Sequence, residues 1–178
     1  MHIFASLESL VIKLLHNGYF TRGAVVKGRL YHDSEMVFGN ASVQAYSLEQ
    51  TVARYPRIML TREVFLDSRE YASVEDMYGD EFENCAQQAA DGPHYLHILR
   101  NLKMIGNKLL DPGTRKDLLD SFNETAVVIQ QRFDESMDNP RHFEKIQWLA
   151  AYWNHCIYGH QNLVKINGPG LSIPMVLE

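Results

Sequence analysis

The segment from Tyr19 to Leu60 constrains the fold most, because its hydrophobic period changes twice within it. Residues 19–31 are rich in β-branched and aromatic side chains and contain two glycines, which predicts two strands or one bent strand pair. Residues 39–55 return to helical spacing, and Pro56 ends that helix because the residue before a proline is pushed out of the α region. Residues 57–60 then form a short strand. This order of strand, helix and strand predicts an α/β (α+β) sheet domain.

Two amphipathic stripes predict a helical hairpin later in the chain. The first helix begins near Thr114, where Asp117 three residues on is typical of a capping box. The second begins at Asn139, which is followed by proline at the first helical position. A short polar link between two such helices favours antiparallel packing. The predicted buried positions are Leu118, Phe122, Ala126, Ile129 and Phe133 in the first helix and Phe143, Ile146, Ala150, Trp153 and Ile157 in the second.

Three further elements complete the predicted organisation. A helix over residues 4–15 ends at Asn17-Gly18, and a β-hairpin over 83–99 turns at Asp91-Gly92, with Pro93 indicating an edge position. Residues 62–80 are predicted as a short helix and a polar loop. The predicted division of the chain is an α/β domain over 1–110, the helical hairpin over 111–165 and an irregular tail over 166–178.

The charge and the apolar runs exclude several classes of partner. The net charge is −5 and the 17 basic residues are scattered, which argues against a nucleic-acid-binding surface. No apolar run approaches the roughly 20 residues that span a bilayer, and the first residues lack the pattern of a signal peptide. We therefore expect a cytoplasmic chain with no membrane partner. Cys85 and Cys156 lie far apart, which favours two reduced buried thiols over a disulfide or a zinc site.

Four residues in the first half of the chain suggest a binding site for a triphosphate group. Gly39 and Asn40 open a helix whose first N–H groups can hold an anion, and Arg22 and Lys27 lie on or beside the strands that lead to it. Each has a simpler interpretation. Gly39 and Asn40 only begin a helix, Lys27 is an exposed strand lysine, and Arg22 is a surface residue paired with Asp33 or Glu35.

Other candidate residues have weaker signals. His32 and Asp33 suggest a proton relay, although a hydrophilic hairpin loop accounts for them equally well. Arg57 either reaches a partner's site or is a solvated strand end, and the second interpretation is favoured. The remaining histidines, His94 among them, lack metal-ligand spacing and are expected at the surface or its boundary.

The order of short motifs in this region resembles a known family. Arg-Gly-Ala-Val at 22–25, Lys-Gly at 27–28, Phe-Gly-Asn-Ala at 38–41 and Tyr-Pro-Arg-Ile at 55–58 resemble the second half of class III nucleotide cyclase domains. The closest resemblance is to the bacterial pyrimidine cyclases of the Pycsar anti-phage defence system, whose terminal helix is similar to residues 144–154. The resemblance implies a partial ferredoxin-like sheet, a homodimer with shared sites, and conversion of a nucleoside triphosphate to a 3′,5′-cyclic nucleotide. It also implies that Arg22 reads the base.

The chain departs from the family at the metal site. The family binds two Mg²⁺ or Mn²⁺ ions through two aspartates, one of them on a first strand that we do not expect in these 178 residues. Val43 stands where the common cyclases have a ribose-orienting asparagine, and Ser47 where they have a transition-state arginine. We therefore expect a truncated or inactive cyclase-type domain. The alternatives are a non-catalytic nucleotide-binding or dimerisation module, and an interaction protein whose helical hairpin is its working surface.

Overall fold

The computed structural model describes residues 2–74, 85–106 and 109–171. Its internal contacts separate the chain into two compact units. Unit 1 contains residues 1–8 and 21–97, and unit 2 contains residues 9–20 and 98–178. The division predicted at residues 110 and 165 stays a prediction.

Unit 1 is built on a four-stranded mixed sheet, which confirms the predicted α/β class. Its four strands are β1 (Gly23–Val25), β4 (Ile58–Leu60), β5 (Ala86–Gln88) and β6 (His94–Leu96). The order across the sheet is β1, β4, β6, β5. Strands β1 and β4 are parallel, whereas the other two neighbouring pairs are antiparallel.

The connection between the two parallel strands contains a second, smaller sheet and a helix. Strands β2 (Tyr31–His32) and β3 (Val37–Phe38) form an antiparallel pair, and α2 (Asn40–Thr51) returns the chain to the start of β4. Only the first part of the predicted 19–31 strand region therefore joins the main sheet. Helix α3 (Arg62–Val74) follows β4 after one residue, as the predicted short helix does. The predicted polar loop beyond it lies outside the described residues.

The hairpin predicted around Asp91-Gly92 is confirmed, because β5 and β6 pair on either side of that turn. The edge position expected from Pro93 is wrong. Strand β6 lies inside the sheet between β4 and β5, and Pro93 stands just before its first residue. A proline there leaves the ladder of N–H donors intact, and its carbonyl accepts from Ala89 N–H at 2.9 Å.

Unit 2 is dominated by the predicted helical hairpin, α4 (Pro112–Glu135) and α5 (Pro140–Cys156). Asn139 caps α5 as predicted, accepting from His142 N–H at 3.3 Å. The capping box expected at Thr114 is wrong, because Asp111 is the N-cap and accepts from Thr114 N–H at 3.0 Å with proline at the first helical position. Most of the predicted stripes form the core of unit 2: Phe122, Ala126, Ile129, Phe133, Ile146, Ala150, Trp153 and Ile157. Leu118 and Phe143, which were also predicted to be buried, are only partly buried.

Two shorter elements complete the described chain. Helix α1 (His2–His16) ends as predicted at Asn17-Gly18, where Gly18 has φ of +80°. A 3₁₀ helix spans Arg100–Gly106. Among the residues that the structure describes, no helix has both the length and the apolar character needed to cross a membrane.

Candidate functional site

A pocket of about 340 Å³ lies at the carboxyl end of β1 in unit 1. In open sheets with parallel strands, ligands bind in the crevice beyond the carboxyl ends of those strands. The lining combines an apolar wall with an ammonium, a carboxylate and a hydroxyl group, which is the composition of a small-molecule site. The lining residues are Ile3, Phe4, Val25, Lys27, Val64, Asp67 and Ser68.

Lys27 is the cationic centre of this pocket. Its ammonium donates a hydrogen bond to Asp67 Oδ2 at 2.5 Å and lies 3.6 Å from Glu63 Oε1. The hydrogen bond to Asp67, followed by the attraction of the same carboxylate, raises the pKa of Lys27. The lysine therefore stays protonated, and two carboxylates balance its charge.

The sequence brings these three charges together through the start of α3. Thr61 N–H donates to the Val25 carbonyl at 3.3 Å, which ties the end of β4 to the end of β1. The Thr61 hydroxyl accepts from Val64 N–H at 3.4 Å and begins the helix. Glu63 and Asp67 are four residues apart, so they project from the same face of α3 toward Lys27.

This arrangement can bind a ligand that carries both an anionic group and hydrogen-bond donors. Lys27 is 59% exposed and has a flexible stem, so its ammonium can turn from Asp67 to an incoming phosphate. Asp67 then accepts from a sugar hydroxyl or an amino group. Ser68 already donates to the Val64 carbonyl at 2.7 Å, which leaves its oxygen as an acceptor.

Arg22 does not join Lys27. Its Nε lies 2.5 Å from Glu49 Oε1, and its Nη1 donates to the Ala53 carbonyl at 3.4 Å. Glu49 lies in the last turn of α2 and Ala53 two residues beyond its end, so the predicted pairing of Arg22 with Asp33 or Glu35 is wrong. Glu49 is nine residues beyond Asn40, which places Arg22 roughly 14 Å along α2 from the beginning of the helix. There the guanidinium stabilises the negative end of the helix dipole.

Gly39 and Asn40 begin α2 as the sequence predicts, but the chain itself covers part of that helix end. The Ala41 N–H donates to the Arg29 carbonyl at 3.4 Å, so one of the first N–H groups already has a protein partner. A Cβ on Gly39 would overlap the Arg29 carbonyl, because residues 29–30 cross directly over this position. Lys27 lies near this end of the helix, since its neighbour Gly28 packs on Ala41. Of the four predicted residues, only Lys27 lines the pocket, whereas Gly39 and Asn40 begin α2 and Arg22 lies at the other end of that helix.

The residues around the pocket do not fit the Mg²⁺ or Mn²⁺ ions that the resemblance implies. The nearest carboxylates, Glu63 and Asp67, face the Lys27 ammonium, which occupies the position that a cation would take between them. Over the described ranges, no group of three or more histidine, cysteine, aspartate or glutamate side chains is arranged to hold a metal ion. No reaction step through a metal is derived from this pocket.

Arg57 is a residue whose position sequence reasoning missed. The structure buries it to 3% exposure rather than leaving it as a solvated strand end. Its Nη1 and Nη2 donate to the two carboxylate oxygens of Asp91 at 3.0 and 2.6 Å. The guanidinium also lies 5.3 Å from the Tyr55 ring centre and 5.8 Å from that of Tyr95. The sequence around Arg57 carries no signal of this pairing, because the partner lies 34 residues away in the chain.

His94 and Asp33 also have environments that the sequence did not specify. The His94 ring stacks on Phe65 with ring centres 3.7 Å apart, and burial followed by the charge of Arg62 lowers the pKa of His94. The Asp33 carboxylate accepts from the N–H groups of Glu35 and Met36 at 2.8 Å each. These hydrogen bonds lower the pKa of Asp33 and are typical of an Asx turn, so the carboxylate closes the β2–β3 loop.

No family model, curated protein or solved structure matches this chain.

Proposed function

We propose that the chain is a nucleotide-binding domain of the class III cyclase type, which holds a nucleoside triphosphate in the pocket beside Lys27. The observation that carries the proposal is the position of Lys27 beyond the carboxyl end of a parallel strand pair, within a pocket that has an apolar wall. A nucleotide supplies the matching parts: phosphate for Lys27, hydroxyl or amino donors for Asp67, and a base for the apolar side chains. The β1, β2–β3 hairpin, α2 and β4 order also follows the order of the resembling motifs.

Calorimetric titration of the full chain with CTP, UTP, ATP and GTP tests this proposal. We expect saturable binding, with pyrimidine nucleotides favoured as the resemblance implies. The Lys27→Met variant should bind at least tenfold more weakly, because the pocket loses its cation. The Lys165→Met variant is the matched control, since this lysine is exposed and belongs to unit 2. Equal binding by all three proteins, or no binding by any, would overturn the proposal. The same samples, with Mn²⁺ added, are assayed for the cyclic nucleotide that the resemblance implies, and we expect none because the Lys27 ammonium lies between the two nearest carboxylates.

We also propose that two copies pair through the β2–β3 hairpin. Its large apolar side chains are about half exposed, and a two-stranded hairpin alone is only marginally stable in water. Light scattering should give the mass of two chains for the wild type and of one chain for Val37→Asp. A control substitution of an exposed apolar residue in unit 2, Val127→Asp, should leave the mass unchanged. The same mass for all three proteins would contradict this assignment. The exposed large apolar side chains in the hairpin and just before it are Leu30, Tyr31, Met36, Val37 and Phe38.

A further inference from the structure

In unit 2, the segment over residues 162–167 is held on α4 and α5 by side-chain amides. Asn154 accepts from the Ile166 N–H and donates to the Ile166 carbonyl, both at 2.8 Å. Gln130 makes the same pair of bonds with Asn167, at 2.8 and 3.0 Å. A carboxamide carries one C=O and one NH₂ group. Each of these side chains therefore makes the two hydrogen bonds that a neighbouring β-strand would otherwise make with the same residue.

The same type of recognition extends toward the beginning of the segment. Asn123 accepts from the Val164 N–H at 2.9 Å and donates to the Asn162 carbonyl at 3.1 Å. The Trp153 indole N–H donates to the Val164 carbonyl at 2.9 Å. Four side chains on the two helices therefore bind the main chain of this segment, and main-chain hydrogen bonds do not depend on the side chains that the segment carries.

Three positions of the bound segment restrict which side chains it can carry. Ile166 is fully buried, and Leu163 is 8% exposed. Gly168 passes so close to Phe133 that a Cβ there would overlap the ring. Lys165, between the two aliphatic anchors, is exposed. The groove thus requires two aliphatic side chains three residues apart, with glycine two residues after the second.

We infer that this face of α4 and α5 is a binding groove for an extended peptide, and that the chain's own residues 162–168 are its internal occupant. Main-chain hydrogen bonds that supply affinity, combined with pockets for alternate side chains that supply selectivity, are how extended peptides are recognised. A peptide ligand must keep free N–H groups at the positions of Val164, Ile166 and Asn167, so proline is excluded there.

The loop that connects the internal segment to α5 determines how tightly the groove binds a free peptide. The segment follows α5 after a short loop that contains the exposed Tyr158 and Gly159, whose φ is +86°. A segment on so short a link has an effective concentration on the order of millimolar. A peptide of equal intrinsic affinity therefore binds the wild-type chain weakly and binds well only when the internal segment is released.

The test uses a fluorescein-labelled peptide with the sequence of residues 161–171 and measures anisotropy against full-length variants. Ile166→Asp places a charge in a buried socket and releases the segment, so this variant should bind the peptide at least tenfold more tightly than the wild type. Lys165→Asp is the matched control, because it adds the same charge at an exposed neighbour and should bind as weakly as the wild type. Adding Asn154→Leu to Ile166→Asp should reduce the gained affinity at least tenfold.

Absence of saturable binding to an Ile166→Asp chain that keeps its helical circular dichroism would overturn the inference, as would binding that is indifferent to Asn154→Leu. If Ile166→Asp unfolds the chain, a protease site inserted at Gly159 gives a second measurement. A nicked chain that retains its segment through gel filtration and then exchanges it for labelled peptide supports the groove. Immediate loss of the segment, or no exchange, contradicts it. Exchange of segments between two copies, seen as twice the mass of the uncut wild type without peptide binding, contradicts the inference and assigns the groove to a second copy.

Discussion

The Arg57 guanidinium and the Asp91 carboxylate form a bidentate pair that fixes the β5–β6 hairpin against the beginning of β4. The two hydrogen bonds measure 3.0 and 2.6 Å, and they join residues 34 positions apart in the sequence. The arginine side chain is 1% exposed and the aspartate side chain 49% exposed, so one partner is desolvated while the other meets water. The pair therefore depends mainly on satisfying a buried guanidinium.

Replacing Asp91 by asparagine should destabilise the chain by about 1–2 kcal/mol. Asn-Gly favours the same tight turn as Asp-Gly, so the loss of stability measures the removal of the carboxylate charge and not a change in the turn. Denaturant unfolding measures the difference in free energy. Asp138→Asn, which neutralises an exposed aspartate, is the control and should change the free energy by less than about 0.5 kcal/mol. An Asp91→Asn loss no larger than the control's would contradict the structural role of the pair.

The same pair should make stability depend on acid pH. The hydrogen bond from Arg57 lowers the pKa of Asp91 below its ordinary value of 3.8. Because the folded pKa lies below the unfolded one, the stabilisation is fully present above the unfolded pKa and is lost as pH falls through the folded value. The stability gap between wild type and Asp91→Asn should thus be constant from pH 7 to about pH 5 and should shrink toward pH 3. A gap that widens on acidification would show that another group is responsible.

Periodicity predicted the helical elements and capping chemistry predicted some of their ends, because those signals are local, although the N-cap of α4 is Asp111 and not Thr114. Asn139-Pro140 starts α5 and Asn17-Gly18 ends α1, as the sequence indicates. The burial of Arg57 could not be predicted from its neighbours, because it depends on a partner in a distant turn. The separation of Arg22 from Gly39 likewise follows from the direction of α2 relative to β1. Pattern alone identified both residues but did not fix the distance between them.

The contacts of residues 166–171 could not be predicted from the sequence either. Residues 166–171 were predicted as irregular, and they have no regular secondary structure. The lack of a periodic pattern in this segment did not indicate that Ile166 is completely buried or that Asn154 accepts a hydrogen bond from its N–H group. Asparagine and glutamine on a helix surface are ordinarily solvated, so their use as main-chain partners is visible only in three dimensions.

Removing one competing carboxylate should strengthen nucleotide binding in the proposed pocket. Glu63 lies 3.6 Å from the Lys27 ammonium, and an incoming phosphate must compete with this attraction. Glu63→Gln should lower the dissociation constant of the triphosphate by about two- to fivefold, since exposed ion pairs contribute little. Calorimetry measures the change, and Glu144→Gln in unit 2 is the control variant. Weaker binding by Glu63→Gln would mean that this carboxylate contacts the ligand directly.

Gly39 should tolerate substitution far less well than Gly92, although both have positive φ. Their φ values are +146° and +105°, so an alanine is conformationally strained at either position. At Gly39 a Cβ would also meet the Arg29 carbonyl and the Leu30 backbone, whereas at Gly92 it would meet no atom within 4 Å. Gly92→Ala should therefore cost roughly 1 kcal/mol, and Gly39→Ala should cost at least about 2 kcal/mol more. Denaturant unfolding of both variants isolates the overlap from the shared strain. Equal losses would show that residues 29–30 do not cross the beginning of α2 as closely as the structure places them.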